Sequence, residues 1–364
     1  MIEHIVKAIQ KDSNHSISYS TFMELALYHP TYGYYMKDQQ KIGRSGDFYT
    51  SSSVSPVFAE TLAKVFIKHM TEQAVQPIIV EMGGGNGTFA KTVLNVWREQ
   101  SPETYSKGSY FILETSPYHR RIIEEAVKCH ENVEVITELE ELKKIHPYFK
   151  GIIFSNELFD AFPVDVIKKV DNELLEVRVT EKNGNELHEK LVPLVNQDIS
   201  NFIQDFQVSI NKGQQCEIPR QMCSFIQKIG EWVQEGLVYT IDYGYTDEEW
   251  NTPYHREGSL RGFYKHQLIR DPLKHVGEMD LTTHIHFDKL IKAGINSGLD
   301  FLGLFRQDEF LMKEGILDYL QEHMDTDPFS EKSKKNRAIR SLLMQGGISS
   351  SFHVVVQSKN VTKK

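Results

Sequence analysis

The stretch Ile78–Thr88, IIVEMGGGNGT, decides how the rest of the chain is read. Ile78, Ile79 and Val80 make a short apolar run ending in Glu81; Gly83, Gly84, Gly85 and Gly87 then crowd one turn, and Phe89 to Val96 follows at helical spacing. The pattern is strand, glycine turn, helix. Glycine has no Cβ, so its backbone takes positive φ and lets a ligand approach its amides, while the next helix presents its positive end to that ligand. A single glycine closes a turn, whereas four of them weaken a helix start unless a ligand needs the space. A ligand-free βα turn is the plainer alternative.

Dinucleotides and S-adenosyl-L-methionine (SAM) both use such a turn. A dinucleotide fingerprint beginning at Gly83 requires glycine or alanine where Thr88 stands, so the spacing favours SAM. Ser109–Glu114 (SYFILE) reads as the second strand, and Glu114 at its end is placed to hold a ribose through both hydroxyls. Val133–Ile136 reads as a third strand, which puts an adenine ring near Thr137, Glu138 and Leu139. Gly151–Ser155 reads as the fourth, followed at once by NELFDAFPVD, whose Asn156, Glu157 and Asp160 sit beyond a strand's carboxyl end, where catalytic loops lie. Helix capping by acidic residues would explain the same residues without chemistry.

Composition sets the outer limits. The chain has 364 residues, is 40% hydrophobic and 25% charged, and carries a net charge of -9, so it lacks the basic footprint that duplex binding demands. Neither nucleic acid nor a membrane is expected as a partner. Cys129, Cys216 and Cys223 form no CxxC pair, and His255, His266, His275, His284 and His286 match no compact zinc spacing, so no metal is expected. The N-terminal run alternates apolar and polar residues at helical spacing without a transit pattern, which leads to the expectation of a cytoplasmic protein.

The order of elements suggests four parts. Residues 1–70 read as N-terminal helices and a glycine- and tyrosine-rich loop that covers a ligand. Residues 71–170 hold the first part of the SAM-binding α/β domain, and 171–235 an inserted hairpin and helix subdomain marked by the turn signal Asn183-Gly184. Residues 236–364 resume the sheet with Leu237–Ile241, broken by a loop-rich insertion at about 250–286.

YGYY, IGRSGDFYTSSSVSPVFAE, VEMGGGNGT, ETSP, SNELFDAFPV, IDYGY, SLRGFYKH, DLTTHIHF and LLMQGG, in this order from about Tyr32 to Gly347, resemble the MidA-like family of class I SAM-dependent methyltransferases. That family includes the mitochondrial protein arginine methyltransferase that helps assemble respiratory complex I. The resemblance implies a Rossmann-like seven-stranded α/β sheet with an inserted α+β substrate-side subdomain and an N-terminal helical segment. It implies SAM as cofactor and a protein arginine as acceptor; a non-catalytic assembly factor and a small-molecule methyltransferase are the alternatives. The family includes dimers, which leaves a homodimer open. Members usually carry Gly-Pro-Gly-Arg-Gly in the turn, where this chain has Gly84 and Asn86, and an acidic residue where it has Ser53.

On this reading the backbone of Gly83, Gly85 and Gly87 meets the methionine end of SAM, Glu81 fixes the turn or the amino group, and Glu114 holds the ribose. Following the family pattern, Asp47 and Thr50 close over the methionine moiety, with Tyr34 as a wall. An arginine acceptor is a delocalised cation, and carboxylates hold it bidentately and line up one nitrogen. Glu157 and Asp160 are the candidates, with Asn156 as a hydrogen-bonding partner and Asp280 contributed from the later insertion.

Overall fold

The computed structural model describes residues 1–39, 41, 56–184, 186–322, 327, 330–344 and 351–361. Seven strands build the main sheet: β1 (Ile78–Met82), β2 (Ser109–Leu113), β3 (Val133–Ile136), β4 (Phe149–Asn156), β5 (Val233–Tyr245), β6 (Asp300–Arg306) and β7 (Phe352–Lys359). Their spatial order is β6-β7-β5-β4-β1-β2-β3, and the two-residue strand Ile285–His286 adds to the tip of β5. The five strands β1 to β5 run parallel, and β7 runs antiparallel to both its neighbours. This is the expected α/β sheet, and the order reverses between β1 and β4, the crevice where open α/β sheets take ligands.

The apolar runs in β1, β4 and β5 are buried on both faces because helices cover both sides. Pro56–Glu72 and Thr88–Gln100 lay Phe58, Leu62, Phe66, Phe89, Val93 and Trp97 on one face. The opposite face packs Val80, Phe149, Ile153 and Val238 against Trp232 of the helix Arg220–Trp232. Two glycines let the central strands approach. Gly236 of β5 faces Gly151 of β4 in the register, with φ of +151° and +149°, and a Cβ on Gly236 would lie 1.9 Å from the Gly151 carbonyl oxygen.

A second, antiparallel sheet lies outside the first. It contains Asp165–Val170, Glu173–Lys182, Glu186–Pro193 and Gln215–Ile218, the first of them ahead of the expected boundary at 171. The N-terminal segment joins it: Ile17 pairs with Val179, and the helices Ile2–Lys11 and Tyr19–Tyr28 pack Ile5, Ile9, Phe22 and Leu27 against Val164, Val166, Val177 and Val179. A third sheet of Arg261–Tyr264, Gln267–Ile269 and Asp280–Thr282 comes from the later insertion.

Gly236→Ala places a methyl group against a backbone oxygen at a φ that only glycine tolerates. The expected loss is on the order of 3 kcal/mol, read as a lowered urea midpoint; an unchanged midpoint would show that the strands can part.

Candidate active site

β1 ends at Met82, and the Gly83 N–H donates to the Leu113 carbonyl at 2.9 Å, which sets the glycine turn over the end of β2. Gly83, Gly85 and Gly87 take φ of +81°, +54° and +74°. The four glycines serve different purposes. At Gly84 a Cβ would lie 2.4 Å from Ile112 Cγ2 and 2.8 Å from Ile123 Cδ1, so the turn is pressed onto β2 and the helix Pro117–Val127. Gly87 does not line the cavity; it starts the helix Thr88–Gln100 in the left-handed region, and its Cβ would lie 3.0 Å from Ile123 Cα. Gly83 and Gly85 line the cavity together with Glu81 and Glu114.

Glu81 is fully buried and accepts a hydrogen bond from the Tyr110 hydroxyl at 2.7 Å. Burial pushes its pKa up to about 8, with the Tyr110 bond opposing and the Glu114 charge adding to the rise. Glu114 Oε1 accepts the Ser116 N–H at 2.8 Å, and Oε2 lies 3.8 Å from His119 Nδ1. The Ser116 hydroxyl in turn donates to the Tyr35 carbonyl at 2.7 Å, tying the N-terminal loop to the end of β2. Thr137, Glu138 and Leu139 do not line the cavity; Thr137 Oγ1 is taken by the Arg120 guanidinium.

The turn after β4 is held from beneath. Glu157 takes φ of +51°, a strained value for a side chain of its size, and its N–H donates to the Ile241 carbonyl at 2.9 Å. Asn156 Nδ2 donates to Glu157 Oε1 at 3.0 Å, and the buried Asn156 Oδ1 has no hydrogen-bond partner among the described residues. Asp242, at the tip of β5 and without solvent exposure, accepts the N–H groups of Phe159 at 3.0 Å, Asp160 at 3.3 Å and Tyr243 at 2.8 Å. The Tyr243 hydroxyl donates to Asp160 Oδ2 at 2.5 Å. Burial carries Asp160 up to about 6, against the pull of the Tyr243 bond and the Arg261 charge. Asp242 is also raised, by burial first and by the Asp160 charge second.

The remaining walls come from the N-terminal segment and the third sheet. Asp280 is buried and accepts the Tyr35 hydroxyl at 2.7 Å; Tyr28 stacks on Tyr35 with ring centroids 5.5 Å apart and donates to the Ala161 carbonyl at 3.0 Å. Tyr34, expected as a wall, is buried instead in the N-terminal core, because its neighbour Tyr35 takes the cavity side. Asp47 and Thr50 lie outside the described residues. Arg261 and His266 line the cavity, and the Arg261 guanidinium bonds His284 Nε2. Burial, then the Arg261 charge, push His284 down to about 3. His286 stacks on Trp250 at 4.3 Å, so these two histidines serve as neutral packing groups.

The structure thus brings Glu81, Gly83, Gly85, Glu114, Asn156, Glu157, Asp160 and Asp280 around one cavity of about 1160 Å³. Tyr28, Tyr35 and Arg261 had not been singled out from sequence, nor had the roles of Asp242 and Tyr243. IDYGY and SLRGFYKH contained three of these residues but gave no sign of which side chains turn inward.

A family model described as "Putative S-adenosyl-L-methionine-dependent methyltransferase" matches residues 61–305. A protein from Xenopus tropicalis named "Protein arginine methyltransferase NDUFAF7, mitochondrial" is 27% identical over 346 residues, covering 87% of this chain and 75% of its own. The human protein of that name is 25% identical over 371 residues, covering 95% of this chain and 78% of its own. A crystal structure from Burkholderia thailandensis, of a methyltransferase-like superfamily member bound to S-adenosyl-homocysteine, superposes with a TM-score of 0.86 at 24% identity, covering 100% of this chain and 94% of that one. The mitochondrial names of these relatives overturn the expectation of a cytoplasmic protein. The N-terminal pattern behind that expectation reports packing, since Ile5, Val6 and Ile9 are buried.

Glu81 holds its proton up to about pH 8 in the folded chain but releases it near 4.5 when unfolded. The folded state therefore binds the extra proton between these values, and the stability it brings is complete below about pH 4.5 and lost as pH rises through about 8. Without ligand, the melting temperature should fall between about pH 5 and about pH 9 more steeply in the wild type than in Glu81→Gln. Parallel curves would mean that Glu81 is ionised in the fold.

Proposed function

The chain belongs to this family of SAM-dependent methyltransferases, and within it we propose a protein arginine N-methyltransferase that takes an extended acceptor into the cavity of about 1160 Å³. The residues at the glycine turn fit the cofactor. Gly83 and Gly85 hold positive φ beside the cavity, a Cβ on Gly83 would meet only Leu158 Cδ1 at 3.2 Å, and two buried carboxylates stand at the ends of β1 and β2. Gly83 and Gly85 would receive the methionine end, Glu81 its amino group and Glu114 the ribose. When bound, SAM supplies an electrophilic methyl on a sulfonium.

One observation carries the choice of acceptor: Glu157, Asp160 and Asp280 face the same cavity, two of them buried, on a wall continuous with the glycine turn. A guanidinium offers a fork of N–H groups that several carboxylates accept at once, which suits a wall that carries three of them. Glu157 and Asp280 would hold the guanidinium and align one nitrogen, with Asn156 Oδ1 as a further acceptor. As the new N–C bond forms and the bond from methyl to sulfur breaks, that nitrogen must release a proton. Asp160, raised to about 6, would receive it. Tyr28 and Tyr35 would shield the site from water, which strengthens each of these contacts. The relatives' name as protein arginine methyltransferases supports the same acceptor. We read the second sheet and its helices as the substrate-side subdomain.

Incubated with labelled SAM and arginine-bearing protein, the wild type should form methylarginine. Glu157→Gln, which keeps the shape and removes the charge, should lower kcat by about a hundredfold or more while SAM affinity stays within about twofold. Full activity in that variant would remove Glu157 from the chemistry.

A further inference from the structure

The third sheet ends beside the cavity on an edge that no strand among the described residues pairs with. Arg261–Tyr264 and Gln267–Ile269 form a hairpin whose two-residue turn, Lys265 and His266, has φ of +50° and +62° at both positions, the backbone of a type I′ turn. Glycine, asparagine or aspartate usually fills these places, and a lysine and a histidine hold them only under local strain. The strain has a visible result: the turn sets His266 in the cavity wall.

Register then fixes the faces. Phe263 pairs with Leu268 on one side and with Asp280 on the other, so Asp280, Phe263 and Leu268 form one row across the sheet, beside the row of Arg261 and Thr282. Asp280, Phe263, Arg261 and Thr282 line the cavity, while Leu281 and Ile269, on the opposite face, pack into the N-terminal core. Leu268 is thus the outermost residue of a row that begins at a buried carboxylate, and its side chain is 50% exposed. In a two-residue hairpin the residues flanking the turn, here Tyr264 and Gln267, exchange hydrogen bonds; the next pair, Phe263 and Leu268, does not. The N–H and C=O of Leu268 therefore point outward, and among the described residues no strand pairs with that edge.

We propose that the acceptor protein docks an extended segment as an added strand on the Gln267–Ile269 edge, pairing with the backbone of Leu268. The target arginine lies within a few residues of the docked strand and enters the cavity past His266. This rests on the arginine reading above and adds how the acceptor is held. Main-chain hydrogen bonds give affinity with little demand on sequence, and the exposed leucine supplies an apolar contact. An unpaired strand edge is a hazard in a free protein, and docking an acceptor strand would cover it.

Leu268→Pro removes the outward N–H and keeps both inward hydrogen-bonded pairs, since proline is tolerated on strand edges. Leu268→Ala keeps the N–H and trims the side chain. With SAM and a degenerate arginine-centred peptide library, Leu268→Pro should raise KM about tenfold at similar kcat and SAM affinity, and Leu268→Ala should raise it much less. Equal KM for the two variants overturns the docking and leaves the arginine reading intact, as does methylation of folded proteins but no peptide. Methylation of no arginine at all by the wild type overturns both. Should Leu268→Pro fail to fold, hydrogen exchange on the wild type decides: the Leu268 amide should exchange more slowly when the peptide library is present, and unchanged exchange overturns the docking.

Discussion

The Asp242 carboxylate holds the site together. It has no solvent exposure, and its oxygens are met by three backbone N–H groups, two of them from the turn after β4. That turn is where the parts of the molecule meet. Its Asp160 carbonyl accepts the Thr283 N–H at 2.9 Å from the later insertion, and its Ala161 carbonyl accepts the Tyr28 hydroxyl from the N-terminal helix. A buried carboxylate without a cation is expensive, and three N–H donors are what make it affordable. The geometry of Glu157 and Asp160 is therefore set by a residue that comes some eighty positions later in the chain.

Charge is arranged around the cavity by depth. Glu81 and Asp160 are raised into the neutral range by burial, whereas Arg261 spends its charge on His284 and on the field felt by Asp160. A pocket of carboxylates held in this way gains most from a cationic guest, because the guest relieves both desolvation and mutual repulsion. Both a sulfonium cofactor and a guanidinium acceptor are guests of that kind. Arg261, the one arginine among the described residues that line the cavity, pulls Asp160 down against the burial that raises it.

Much of the fold was legible because local patterns dictate it. The apolar runs of β1, β2, β4 and β5 and the glycines between β1 and its helix are short-range signals, and the order of a doubly wound sheet follows from parallel crossovers. Glu114 was legible as a cavity residue for the same reason, since it directly follows β2. What stayed hidden depends on contacts distant in sequence. Tyr34 and Tyr35 are adjacent, and only packing against the second sheet decides which of them faces the cavity. Gly84 stands where the family usually carries proline, and only the fold shows Ile112 and Ile123 pressing on it. Asp242 reads as one more polar residue at a strand tip until its three donors are seen.

The strand Ile17–Ser18 belongs to a sheet whose other members begin at Asp165. A ribosome working at about 5–20 residues per second therefore leaves the first helices waiting on the order of ten to thirty seconds for their partners. During that time Ile5, Ile9, Phe22 and Leu27 have no core to enter, although the helices that carry them can flicker into being at once. That segment is thus committed late, and its docking is a long-range event that waits for Asp165 and the strands after it.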